Sequence, residues 1–217
     1  MDFFDSAYRG TPPWDIGRPQ KEFVELVWRG EITGSVLDIG CGTGEHALFF
    51  AAEGHEVWGI DSAPLAIEKA REKAARRGLP VHFLVLDALH MAELIRKFDT
   101  GRELRSSSRP GEKLPGSFST ATDSGLFHTL SDEDRPVFVE NLAAVLAPAG
   151  KYFMLCFSDL EPGGYGPRRV SQKEIRDSFR DGWSINYIRP AVFESRTRAE
   201  GPRAWLSSIS RDPDNIS

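Results

Sequence analysis

Residues Val36 to Gly44 read V-L-D-I-G-C-G-T-G, two apolar residues and an acid followed by glycines at three alternate positions. The pattern predicts a buried strand, a tight loop and a helix that begins near Glu45. Gly40, Gly42 and Gly44 put no Cβ between the backbone and a ligand, while the helix start offers unpaired N–H groups to an electron-rich partner. Asp38 stands two residues before the first glycine, and Asp61 follows Gly40 by 21 residues, the length of one βαβ unit. A carboxylate at that strand end, with two oxygens in one plane, can accept both hydroxyls of a ribose. A third acid, Asp87, ends the next apolar run. Parallel sheets bind ligands at the carboxyl ends of their strands, so acids at three successive strand tips point to a nucleotide-type cofactor.

The loop's details bear on which cofactor. A dinucleotide fingerprint is G-x-G-x-x-G, with its third glycine inside the helix beside a pyrophosphate. This chain has G-x-G-x-G, and Glu45 stands three positions beyond Gly42, where its charge repels a pyrophosphate. The string D-I-G-C-G-T-G resembles the first motif of the class I S-adenosylmethionine-dependent methyltransferases. L-D-A at 86–88 and L-A-P-A-G-K-Y at 146–152 resemble later motifs of that family, and P-P-W-D-I-G-R-P-Q at 12–20 resembles the N-terminal segment of one branch. That branch holds thiopurine, thiol and tellurite methyltransferases and mycobacterial methyltransferases of heterocyclic compounds.

The resemblance implies a three-layer α/β/α Rossmann-like sandwich around a seven-stranded, mostly parallel sheet whose last strand is antiparallel. It implies S-adenosylmethionine as cofactor and S-adenosylhomocysteine as product. The residues it places at the cofactor are Trp14, Asp38, Gly40, Cys41, Gly42, Gly44, Asp61, Ser62, Asp87, Ala88 and Asp123. Asp61 meets the ribose, Asp87 the exocyclic amine of adenine, and the Ala88 N–H a ring nitrogen. The ribose spacing also suits a nicotinamide cofactor, so an oxidoreductase stays a rival, as does a partner protein that binds S-adenosylmethionine without transferring a methyl group.

On the acceptor side, D-S-G-L-F-H at 123–128 occupies the topological position of groups that face the transferred methyl. The Asp/Asn-Pro-Pro-aromatic motif of enzymes that methylate DNA bases or glutamine side chains is absent there. Phe127 and His128 are the candidates for substrate contact, and His128 for proton acceptance, since its ordinary pKa suits a base near neutrality. The bland alternative for His128 is a hydrogen-bonded structural residue. Trp14, Tyr165 and Arg168 are expected at the pocket with them. The reaction implied is in-line displacement by an S, N, O or Se atom of a small hydrophobic or aromatic acceptor.

Composition limits the partners. The 217 residues are 40% hydrophobic and 27% charged, enough for one domain with a full core and without a run able to span a bilayer. A formal net charge of −5 argues against capture of nucleic acid, which needs a basic face. The two cysteines suggest a reducing compartment, and with no basic leader before an apolar segment the cytoplasm is expected. No metal ligation is read from the sequence, and nothing in it fixes the oligomeric state.

The elements that must position these groups follow from periodicity and punctuation. Residues 1–30 form a cap segment, with a helix after Pro19. Helices are expected at 45–53, after a Ser62 cap with Pro64 in the first turn and Gly78 as stop, at 131–146, and after a Ser171/Glu174 capping box. Strands are expected at 36–39, 57–60, 81–86, 118–123 and 152–157, with a final antiparallel pair at 183–188 and 204–209. Residues 101–117, rich in Gly, Pro, Ser and charge, read as a flexible insertion, with a lid as the alternative.

Overall fold

The apolar runs around the glycine loop become adjacent parallel strands because both of their faces are covered. β1 (Val36–Ile39) is buried at all four positions. It lies between β2 (Val57–Asp61) and β4 (Phe118–Ser124), both parallel to it, with Leu37 opposite Trp58 on one side and Ala121 on the other. The computed structural model describes residues 3–93 and 117–213. With β3 (Val81–Val85), β5 (Leu146–Phe157), β6 (Trp183–Val192) and β7 (Arg203–Arg211) the sheet has seven strands in the order β3-β2-β1-β4-β5-β7-β6. β7 runs antiparallel to both of its neighbours, as expected for the last strand.

The order reverses direction between β1 and β4, the kind of switch point at which open α/β sheets bind ligands. Consequently the loop after β1 and the turn after β4 lie side by side at the carboxyl edge. The two sheet faces bury different residues of the same strand, as the two-residue period requires. Tyr152, Met154 and Cys156 of β5 join Phe127, Phe138 and Leu142 on one face. Phe153, Leu155 and Phe157 join Phe23, Leu48, Phe50 and Phe83 on the other.

Helices supply those covers: α1 (Phe3–Ala7), α2 (Lys21–Trp28), α3 (Glu45–Ala52), α4 (Pro64–Arg77), α5 (Asp134–Val145) and α6 (Gln172–Ser178). Gly78 ends α4 in the left-handed conformation, and the Ser171/Glu174 capping box opens α6, both as the sequence indicates. The expected Ser62 cap is not formed. Ala63 holds the cap position of α4 without a side-chain bond, and Asp5 of α1 accepts the Leu65 N–H at 3.0 Å instead. The Pro148–Gly150 turn is carried within β5, which starts at Leu146 and takes up the irregularity where Ala149 has φ +62°. The expected insertion at 101–117 lies, apart from Ser117, outside the described residues. Among the described residues no helix is long and apolar enough to cross a membrane.

Candidate active site

The loop between β1 and α3 is fastened to the tip of β2 by a single carboxylate. Asp61 Oδ2 accepts the Gly42 N–H at 2.9 Å and Oδ1 accepts the Ala63 N–H at 2.8 Å. Both oxygens are thereby oriented by backbone donors, one from each of the two loops.

The three loop glycines serve different ends. A Cβ on Gly44 would sit 2.7 Å from the Phe83 ring and 3.0 Å from Ala70, so this glycine lets α3 close onto β3 and α4. Gly42 has φ +54°, and a Cβ there would lie 2.7 Å from the Tyr8 hydroxyl. That position faces the groove, whose walls are Gly40 to Thr43, Glu45, His46 and Ser124, with Tyr8, Trp14 to Ile16, Arg18 and Gln20 as its roof. Its free volume is about 50 Å³. Sites for drug-sized ligands usually enclose ~300–1,000 Å³, so the roof must shift to admit a nucleotide-sized molecule.

The roof is the expected cap segment, and it is strapped down at several points. Trp14 Nε1 donates to the Tyr8 hydroxyl at 3.0 Å, and the two rings meet edge to face at 6.3 Å. Thr43 of the loop donates to Asp15 at 3.0 Å, and the Gln20 N–H donates to His46 Nε2 at 3.0 Å. Burial pushes the His46 pKa down to about 4, which keeps the ring neutral and able to accept that bond. At the end of the roof, Arg18 pairs with both oxygens of Glu194 at 2.9 and 2.8 Å, and the Lys21 N–H donates to the same carboxylate.

Two further carboxylates stand at and behind the glycine loop. Glu45 sits at the first turn of α3 and is 8% exposed. Although burial raises its pKa, Lys73 and Arg77 outweigh that and leave it lowered, so the carboxylate stays ionised beside the loop. Asp38 lies behind the glycines, fully buried, with Oδ1 accepting from the Thr122 hydroxyl at 2.9 Å and no hydrogen-bond partner for Oδ2. Burial lifts its pKa to about 7. The Asp61 carboxylate suits a ligand with a ribose, and Glu45, paired with Lys73 at 2.7 Å and Arg77 at 3.0 Å, stands where a dinucleotide loop has its third glycine.

Asp87 caps the turn after β3, with Oδ1 accepting the Leu89 N–H at 2.9 Å, and its side chain is 53% exposed. Ala88 follows in that turn and is buried, whereas Ser62 is exposed beside Asp61. Asp123 differs from the expectation of a cofactor ligand. Its carboxylate is completely buried and accepts from the Leu126 N–H, the Phe127 N–H and the Tyr152 hydroxyl at 2.6, 2.9 and 2.9 Å. Three donors from its own neighbourhood make it the organiser of the turn after β4. Ser124, the next residue, reaches the groove in its place.

Two further expectations on the acceptor side, Phe127 and Arg168, are corrected. Phe127 is fully buried under the sheet, edge to face with Phe138 at 6.2 Å and capped by the Arg135 guanidinium at 4.7 Å. The Asp123 bonds wind residues 127–129 into a short turn that drives this ring inward, so it packs the core and lines no pocket. Arg168 is held in ion pairs with Asp132 at 2.7 Å and Glu174 at 2.6 Å, away from the groove. The Tyr165 hydroxyl donates to Glu161 and accepts from Arg198 at 3.0 Å, leaving the ring about half exposed.

His128 does lie at the carboxyl edge, but in the wrong form for a base. Its Nδ1 accepts the Phe157 N–H at 3.0 Å. A backbone N–H only donates, so the single proton of the neutral ring is on Nε2. Burial, with the charge of Arg169 adding to it, pushes the pKa down to about 3. The ring is therefore a neutral N–H donor. Among the groove residues, the sequence gives no individual site role to Tyr8, Asp15, Ile16, Arg18, Gln20, Thr43, Glu45, His46 and Ser124, although the tyrosine ahead of the P-P-W turn belongs to the expected cap segment.

Comparison with known proteins follows this geometry. The family model described as a methyltransferase domain matches residues 36–101. A 2-heptyl-1-hydroxyquinolin-4(1H)-one methyltransferase of Mycobacteroides abscessus is 37% identical over 202 residues, covering 88% of this chain and 80% of that protein. A probable thiol methyltransferase 2 of Arabidopsis thaliana is 29% identical over 208 residues, 93% of this chain and 80% of that protein. A solved structure concerned with the conversion of a disulfide bond into a thioacetal group during echinomycin biosynthesis superposes with a TM-score of 0.78 at 34% identity, covering 96% of this chain and 91% of that chain. The chain belongs to the small-molecule branch of the class I S-adenosylmethionine-dependent methyltransferases.

Proposed function

We propose that this enzyme transfers a methyl group from S-adenosylmethionine to an S, N, O or Se atom of a small hydrophobic or aromatic acceptor. The observation that carries the reading is the bond from Asp61 to Gly42, a wall residue of the groove roofed by Tyr8 and Trp14. Asp61 takes the ribose hydroxyls, Asp87 the adenine amine and the Ala88 N–H a ring nitrogen. Asp38, Gly40, Cys41 and Gly42 hold the amino-acid end, with Gly44 and Ser62 shaping the loops around them. Trp14 is shared between cofactor and acceptor, and Tyr165 stands on the acceptor rim. The names of the two relatives, one acting on a hydroxyquinolinone and one on thiols, support a compact acceptor with a soft or aromatic nucleophile.

When bound, S-adenosylmethionine supplies an electrophilic methyl on a sulfonium. The chain's own part is alignment. Asp61 and the glycine loop fix one partner, the cap segment excludes water, and the aromatic rim fixes the other. Such positioning is worth up to ~7–11 kcal/mol in well-oriented systems.

A labelled-methyl screen over thiols, phenols and heterocyclic amines tests the reading, with calorimetry of S-adenosylmethionine against NAD beside it. Binding of the former alone, with label entering a small aromatic acceptor, is the expected result. Tight binding without transfer to any member of the panel would reduce the protein to a binder.

A further inference from the structure

We propose that Tyr8 is a cofactor-binding residue whose hydroxyl donates its proton to the carboxylate at the amino-acid end of S-adenosylmethionine. The inference rests on the methyl-transfer reading and adds to it one residue of the roof and the ligand group that this residue meets.

Tyr8 lines the groove and is 4% exposed. Its oxygen accepts the Trp14 Nε1–H at 3.0 Å, and a phenol that accepts still has a proton to give. Among the described residues nothing takes that proton. Burial, with the charge of Asp61 adding to it, pushes the phenol pKa up, so the proton stays in place. The other long side-chain donors of the roof are engaged, Arg18 by both oxygens of Glu194 and Gln20 by the Glu194 carbonyl. A buried donor without an acceptor costs free energy, and a ligand that brings the acceptor recovers it.

The hydroxyl is in place before any ligand arrives. Lys69 of α4 donates to the Tyr8 and Gly10 carbonyls at 2.5 and 3.0 Å, Asp5 accepts the Leu65 N–H, and the Tyr8 ring packs on Ala63 and Ala66. Residues 5–10 are thereby fixed to the start of α4, and the phenol reaches from there to the glycine loop. A Cβ on Gly42 would lie 2.7 Å from the hydroxyl oxygen and displace it, so this glycine keeps the donor over the loop. In the proposed reading Gly42 belongs to the stretch that holds the amino-acid end. That end carries an ammonium, which only donates, and a carboxylate, which only accepts. The Tyr8 proton therefore matches the carboxylate.

The test compares two ligands on the full chain: S-adenosylhomocysteine and its decarboxylated analogue, which keeps the adenosine, the thioether and the amine. Titration calorimetry measures the first, and displacement of the first by the second measures the analogue. Tyr8→Phe should weaken S-adenosylhomocysteine about tenfold, the loss of one hydrogen bond to a charged group, and leave the analogue within about twofold. Trp14→Phe removes the bond that Tyr8 accepts but keeps the tyrosine proton, so it should weaken the two ligands alike. Equal losses for both ligands in Tyr8→Phe, or no loss for either, would overturn the assignment. A loss in Trp14→Phe as selective as that in Tyr8→Phe would trace the effect to the packing of the roof and overturn it as well. Wild-type protein that binds neither ligand would overturn the cofactor reading, and the assignment with it.

Discussion

Gly42 and Asp61 come from loops on neighbouring strands, and the 2.9 Å bond between the Gly42 N–H and Asp61 Oδ2 makes them one rigid unit. The second oxygen of the same carboxylate is tied to the Ala63 N–H at 2.8 Å. The phosphate-free loop and the ribose-directed acid therefore keep a fixed spacing before any ligand arrives. This lowers the ordering cost of binding.

Tyr8 restricts what Gly42 can become. Gly42→Ala places a Cβ 2.7 Å from the tyrosine hydroxyl at a backbone angle of φ +54°. The left-handed conformation alone costs an L-residue about 1–2 kcal/mol. Cofactor affinity should fall in this variant, and Tyr8→Phe added to it should restore part of the loss, leaving the backbone strain behind. A double-mutant cycle by titration calorimetry measures the coupling, and strict additivity would remove Tyr8 from the loop.

The clamp between Arg18 and Glu194 should govern the cap more than the fold. Its side chains are 57% and 27% exposed, so solvent screening holds its share of global stability below about 1 kcal/mol. Glu194→Gln should leave the melting temperature nearly unchanged while speeding amide exchange across residues 13–21. Exchange as slow as in the wild type would show that the Asp15 and Gln20 bonds alone hold the roof.

Two buried carboxylates set a slope of stability with pH. Burial raises Asp38 to about 7 and Asp123 to about 6, above their unfolded values near 3.8. Groups raised in the folded state contribute stability that is complete below the unfolded pKa and is lost as pH rises through the folded one. Unfolding free energy should therefore decline between about pH 4 and pH 7, by up to about 3–4 kcal/mol for each group at shifts of this size. Glu161 and Glu174, lowered to about 2, act oppositely, and their share is lost as pH falls from the usual carboxylate range toward 2. Asp38→Asn keeps an acceptor for Thr122 and should flatten the decline in denaturant titrations. An unchanged slope would place its origin elsewhere.

Sequence reading caught what local pattern encodes. The continuous apolar runs of β1 to β3 can be read because burial on both faces leaves no polar alternation, and the glycine spacing marks the loop. What escaped depends on contacts between distant positions. Asp5 caps α4 from 60 residues away in sequence, and Asp15 meets Thr43 across 28. Nor does sequence show where a carboxylate spends its lone pairs. Asp61 and Asp123 both stand near strand tips, yet the first is partly exposed and bonded to the loop amides of Gly42 and Ala63, while the second is completely buried and gives its oxygens to the Leu126 and Phe127 amides and Tyr152. The inward turn of Phe127 follows from that choice.

Titration calorimetry of S-adenosylmethionine against the wild-type chain and Asp61→Ala tests the site most directly. The wild type should bind one cofactor per chain. The variant should keep its melting temperature within a few degrees yet lose on the order of 1–3 kcal/mol of affinity, roughly 5- to 150-fold. Equal affinity in the two proteins would contradict the placement of the cofactor between the glycine loop and the tip of β2.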